Sequence, residues 1–163
     1  SGTFSVEEVE SVHVSVPSML QGMLGKYPDN MLAAKFNVPY AVAVAVVYGK
    51  TDITVFRPQV IAEKNVKNMA NRVTVSVDPT LVDSRRRPKT IATIRLKSGR
   101  IFTGETGLVR GDYGNPIQRD ELIEKFDFLT SQILGEEGCD LVKSKMSNLE
   151  NIVDVRLLTE TLS

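Results

Sequence analysis

The feature that most constrains this chain is the run Val38-Pro39-Tyr40-Ala41-Val42-Ala43-Val44-Ala45-Val46-Val47-Tyr48, which carries no charge and ends at Gly49. Its Ala/Val alternation suits a strand. Its length and its apolar character on every side suit a helix better. Pro39 fits a first helical turn and Gly49 fits a stop. At this length the run falls far short of the ~18 apolar residues a membrane span needs. The expectation is a central, buried helix, and the rest of the chain must supply layers to cover it.

The flanking segments supply a sheet. Val12, Val14 and Val16 alternate with Ser11, His13 and Ser15, the pattern of a half-buried strand that Pro17 ends. Residues 18–30 hold two glycines and a proline and read as an open loop. Residues 52–72 read as short helical pieces, with Val66, Met69 and Ala70 at helical spacing. Val73, Val75 and Val77 form a second alternating strand, stopped by Pro79. Residues 81–87 form a polar loop. Residues 90–97 and 100–106 are two strands around Lys97-Ser98-Gly99, a tight-hairpin signal. Pro116 opens an amphipathic helix with Leu122, Phe126, Leu129 and Ile133 on one face, closed by Gly135. Short helices follow over 141–146 and 152–162. The sum is an α+β two-layer sandwich: a four-stranded, mostly antiparallel sheet with helices packed on one side.

Composition narrows function mainly by exclusion. The chain has 163 residues, the size of one domain. Twenty Lys and Arg balance twenty Asp and Glu, which leaves no electrostatic footprint for nucleic acid or an anionic membrane. An anionic ligand must therefore be met by a few placed residues. The one cysteine, Cys139, cannot form an intrachain disulfide, and a reducing, cytoplasmic compartment is the simpler reading. The chain starts Ser1-Gly2 without a Met and enters strand pattern almost at once, so the expectation is a segment of a longer protein.

The candidate residues are few. His13 falls opposite the valines, on a surface parity. No His/Cys cluster has metal-ligand spacing and no Gly-rich phosphate fingerprint joins a strand to a helix, so no metal or cofactor is expected. Arg110-Gly111-Asp112 spells an adhesion tripeptide, a common accident. The run Arg85-Arg86-Arg87 reads as a solvated loop or as a contact to a carboxylate or phosphate. Lys35 and Tyr40 flank the entrance of the apolar helix. There a cation and a phenol can hold a bound anion in a dry setting. The alternative is an exposed lysine and a packed tyrosine with its hydroxyl satisfied.

The segment Ala34-Lys35-Phe36-Asn37-Val38-Pro39-Tyr40-Ala41-Val42-Ala43 resembles the signature that opens the central helix in the C-terminal domain of the MmgE/PrpD family. The likeness continues in order through residues 52–56, Val73 to Asp78, and Arg87-Pro88 leading into residues 93–100. It extends to Arg110-Gly111-Asp112 with Asn115-Pro116, and to Lys125-Phe126. Tyr48-Gly49-Lys50 departs from the family's more usual Asp-Gly turn.

The resemblance implies 2-methylcitrate dehydratase, cis-aconitate decarboxylase or iminodisuccinate epimerase chemistry, with 2-methylcitrate dehydratase favoured. It also implies a larger helical N-terminal domain outside this chain, a homodimeric parent protein and a small di- or tricarboxylate substrate. The active site would lie between the domains, so the isolated domain should be inactive. By the same resemblance Tyr40 is the candidate catalytic residue. Lys35, Gly111 and Asn115 are candidate substrate-binding residues, the last two by shaping their loop.

Overall fold

The computed structural model describes residues 4–82 and 87–162, so Arg85 and Arg86 of the basic run lie outside the described residues. The chain divides into two compact units, residues 1–109 and 110–163.

The first unit holds the sheet. Strands β1 (Val9–Val16), β2 (Val73–Val77), β3 (Thr90–Leu96) and β4 (Ile101–Thr106) lie in the order β2-β1-β3-β4. β1 pairs antiparallel with β3 and β3 with β4, while β1 and β2 run parallel. The parallel pair makes the sheet mixed, with two of its three pairings antiparallel. A parallel pair needs a long crossover, and here the crossover carries the helices: α1 (Met31–Lys35), α2 (Val38–Tyr48), α3 (Pro58–Ile61) and α4 (Lys64–Ala70).

Strand parity decides which face the crossover covers. Val12, Val14 and Val16 join Val73 and Leu96 in one core with Tyr40, Ala43 and Val44 of α2 and Val66, Met69 and Ala70 of α4. Burying each such aliphatic side chain stabilises the fold by about 1.5–3 kcal/mol. The opposite face presents His13, Thr74, Arg95 and Thr103 to solvent. His13 is thus on the surface parity expected of it. The β3–β4 hairpin turns through Gly99 at φ 85, a left-handed conformation that favours glycine.

Two expectations change in the first unit. Helix α2 forms where expected, and Gly49 caps it at φ 68 with its N–H on the Ala45 carbonyl. It is not buried on all sides, however: Tyr40, Ala43 and Val44 are enclosed, while Ala45 and Tyr48 are exposed. Nor are residues 18–30 an open loop. They contain a 3-10 helix, Ser18–Met23, and are fastened at their far end. Asn37 Nδ2 donates to the carbonyls of Gly25 (3.2 Å) and Lys26 (2.9 Å), and Tyr27 Oη donates to the Ile61 carbonyl at 2.9 Å.

The second unit contains α5 (Arg119–Ser147), a 3-10 turn and α6 (Arg156–Thr159). Gly135, at φ 69 and ψ 176, breaks α5 into two helices, so the expected stop at this glycine is a kink between consecutive helical segments. Lys143 bridges the two segments through Asp127 at 2.9 Å. The apolar face read from the sequence is largely uncovered, with Leu122, Leu129 and Ile133 all exposed. No helix among the described residues is long and apolar enough to cross a membrane.

Asn37 does two jobs at once, since its Oδ1 also accepts from Tyr40 N at 2.9 Å as the N-cap of α2. Asn37→Ala should lower stability by about 2–3 kcal/mol, combining a lost cap with two orphaned carbonyls. Asn37→Asp, an equally good cap in isolation, should also destabilise, because it aims a carboxylate at two carbonyl oxygens. Urea midpoints of both variants check this, and an Asp variant as stable as the parent would refute the carbonyl clamp.

Candidate functional site

The corner between α1 and α2 is built by two asparagine caps. Asn30 Oδ1 accepts from Ala33 N at 2.9 Å and starts α1. Phe36 ends it after five residues, and Asn37 starts α2 at once. Pro39 in the first turn has no N–H to leave unsatisfied there. Lys35 is therefore the last residue of one helix, and Tyr40 sits in the first turn of the next.

These two candidates meet different fates. Lys35 is exposed and makes no hydrogen bond or ion pair with any described residue. Leu32 in the same helix and Phe36, which ends it, are 67% and 56% exposed. Leu32 lies three residues before Lys35 and shares its helix face, while Phe36 follows Lys35 directly in the chain. Among carboxylates, such a setting offers a cation whose surroundings turn dry as soon as another surface covers Leu32 and Phe36.

Tyr40 is fully enclosed, at 0% exposure. Its Oη donates to the Val55 carbonyl at 2.5 Å, and its ring packs edge-on against Tyr27 (5.8 Å) and tilted against Phe56 (5.9 Å). Burial first, then Tyr27, Tyr48 and Glu63, pushes its phenol up from 10.0 to about 12. Tyr40 thus stays protonated and is a hydrogen-bond donor, not a base. In this structure the donated proton goes to Val55 and not to solvent. Tyr48 closes the same cluster: its Oη donates to Glu63 Oε2 at 2.6 Å, which together with burial raises its phenol to about 12.

Gly111 and Asn115 belong to the second unit, where they pair with each other. Gly111 N–H donates to the Asn115 carbonyl and Asn115 N–H to the Asp112 carbonyl, both at 2.8 Å. Gly111 sits at φ 98, where a Cβ would strain the backbone and touch the Ile117 side chain. Arg110 braces the loop from outside, donating through Nη1 to Asn115 Oδ1 at 2.8 Å and through Nε to Glu121 Oε1 at 3.1 Å. Glu121 in turn accepts from Gln118 N at 2.9 Å, capping α5. Both residues therefore shape a closed loop. The RGD tripeptide is part of this brace, with its arginine committed to Glu121 and Asn115.

Sequence reading assigned no role to Asn37, although an Asn directly before Val-Pro is a helix-start signal. The exposure of Leu32 and Phe36 and the acceptor role of the Val55 carbonyl had no local signal at all.

The Tyr40 phenol makes a pH prediction. An unfolded tyrosine ionises near 10, so between about 10 and about 12 the folded chain keeps a proton that the unfolded chain loses. This stabilisation is complete below the lower value and is lost as pH rises through the upper one. Tyr40→Phe should flatten that fall and, at neutral pH, lower stability by about 1–3 kcal/mol by orphaning the Val55 carbonyl. Denaturant titrations across the window decide it; an unchanged slope would assign the effect to Tyr27 and Tyr48.

The geometry can be set beside known proteins. The MmgE/PrpD C-terminal domain family matches residues 2–151. The cis-aconitate decarboxylase of Mus musculus is 21% identical over 159 residues, covering 98% of this chain and 32% of that protein. The cis-aconitate decarboxylase of Homo sapiens is 22% identical over 136 residues, covering 83% of this chain and 28% of that protein. The chain thus spans about a third of the length of the curated relatives it matches. With the family match running over nearly all its residues, this chain belongs to the MmgE/PrpD family and is a C-terminal domain of it.

Proposed function

We propose that this chain is one domain of a longer lyase that removes a proton, or carbon dioxide, next to a carboxylate of a small di- or tricarboxylic acid. The observation that carries the reading is Lys35: an exposed cation with no partner among the described residues, beside exposed Leu32 and Phe36 and inside the segment that resembles the family signature. Either reaction builds negative charge on an enolate-like carboxylate. A lysine placed against that charge in a site closed from water lowers the barrier without itself exchanging a proton. The remaining helical domain, expected outside this chain, would cover Leu32 and Phe36 and supply the acid–base groups, in a homodimeric parent.

The similarity to cis-aconitate decarboxylases favours a decarboxylation, and dehydration of 2-methylcitrate is the next reaction to test. Tyr40 enters this scheme as a neutral donor. Its proton reaches a substrate only by exchanging the Val55 carbonyl for the substrate's developing charge.

A second reading rests on that same contact. A tyrosine enclosed and bound to Val55 is a packing residue, and the domain then serves only to join the helical domain or to form the dimer. The two readings part on one experiment with the full-length protein. Turnover of cis-aconitate, 2-methylcitrate, citrate and iminodisuccinate is measured for the parent, for Lys35→Met and for Tyr40→Phe. The catalytic reading expects Lys35→Met and Tyr40→Phe each to lower kcat by about tenfold or more, with folding intact. Unchanged constants in both variants would leave the joining role.

A further inference from the structure

The open face of the sheet carries a side-chain cluster that the carboxylate chemistry does not use. In the parallel β1–β2 pair His13 stands opposite Thr74 and Ser15 opposite Ser76. Their side chains meet. His13 Nδ1 lies 3.1 Å from Thr74 Oγ1, and His13 Nε2 lies 3.0 Å from Ser76 Oγ. Ser15 Oγ is 3.2 Å from Ser76 Oγ and 3.4 Å from Nε2.

The contacts accommodate one tautomer that suits a general base. Thr74 Oγ1 lies 3.4 Å from the Val12 carbonyl and can donate its own proton there. In that arrangement it meets His13 as an acceptor, and Nδ1 carries the hydrogen. Nε2 is then the bare nitrogen, and Ser76 donates to it. A hydroxyl hydrogen-bonded to a neutral imidazole, whose other nitrogen is held by a third group, is the arrangement that activates a serine nucleophile. Sixty-one to sixty-three residues separate His13 from these partners on β2, and the parallel register alone brings them together.

We propose that Ser76 is a nucleophile with His13 as its general base, reactive toward small activated acyl esters. Ser76 Oγ attacks the acyl carbon while its proton passes to His13 Nε2. The tetrahedral species collapses, breaking the bond to the leaving oxygen, which takes the proton from the imidazolium or departs as the phenolate. The acyl group is left on Ser76 as an ester, and water releases it by the reverse proton path. Ser15 supplies a second hydroxyl beside the oxygen on which charge changes. Thr74 is a positioning residue that holds the imidazole tautomer. The cluster lies on an exposed sheet face, so it selects for reactivity of the ester and not for the shape of the acyl group.

The test uses the full 163-residue chain and p-nitrophenyl acetate. Phenolate release should show a burst, and peptide mass spectrometry should find the acetyl group on Ser76. Ser76→Ala should abolish the burst, and His13→Gln should slow it by about a hundredfold. Acetyl groups found on lysines or on His13 with Ser76 unmodified, or a His13→Gln burst at the parent rate, would overturn the proposal. Should either variant fail to fold by circular dichroism, the acetylated position in the unaltered chain decides alone.

Discussion

Asn37 is the buried polar side chain of the core among the described residues, and it spends every polar atom of its carboxamide on backbone. Its oxygen starts α2 while its amide holds residues 25 and 26 against the helix entrance. A buried amide left unpaired costs about 1–3 kcal/mol, so these contacts must form together or not at all. The coupling fixes where α1 stops, how α2 enters the core, and which residues of the corner are enclosed. Lys35 and Tyr40 acquire their opposite environments from that one corner.

Enclosure determines what each can do. Tyr40 is held neutral by burial and turned toward Val55, and so contributes a donor and a packing surface. Lys35 is left with its charge in solvent beside uncovered apolar residues. Both features fit the proposal of a domain whose chemistry is completed by another surface. A cation on an open corner binds a carboxylate weakly in water, where a unit charge pair at 4 Å is worth about 1 kcal/mol, and far more strongly once water is displaced. The mixed sheet beneath makes its own contribution. Its parallel β1–β2 pair sends the crossover to one face and leaves the polar row of His13, Thr74 and Ser76 open on the other.

Much of the scaffold was legible because its signals are local. Alternating valines marked β1 and β2, Ser98-Gly99 marked the hairpin, Pro39 and Gly49 bounded α2, and Val66, Met69 and Ala70 marked the buried side of α4. The readings that changed needed long-range information. Whether an apolar helix is covered all round depends on what packs against it. Whether residues 18–30 hang free depends on a carboxamide twelve residues away. The helix after Pro116 showed its apolar stripe plainly, but the stripe says nothing of whether a partner surface covers it.

What the sequence determined by itself is therefore the four strands, the helices of the crossover with their inward valines, and the family, since periodicity, caps and motif order are properties of neighbouring residues. The tertiary structure alone decided that Tyr40 points its hydroxyl at Val55, that Lys35 stays uncovered and that His13 meets Ser76. Each of these depends on which segments distant in the chain come to lie side by side. That is set by the crossover and the strand register, which no local pattern encodes.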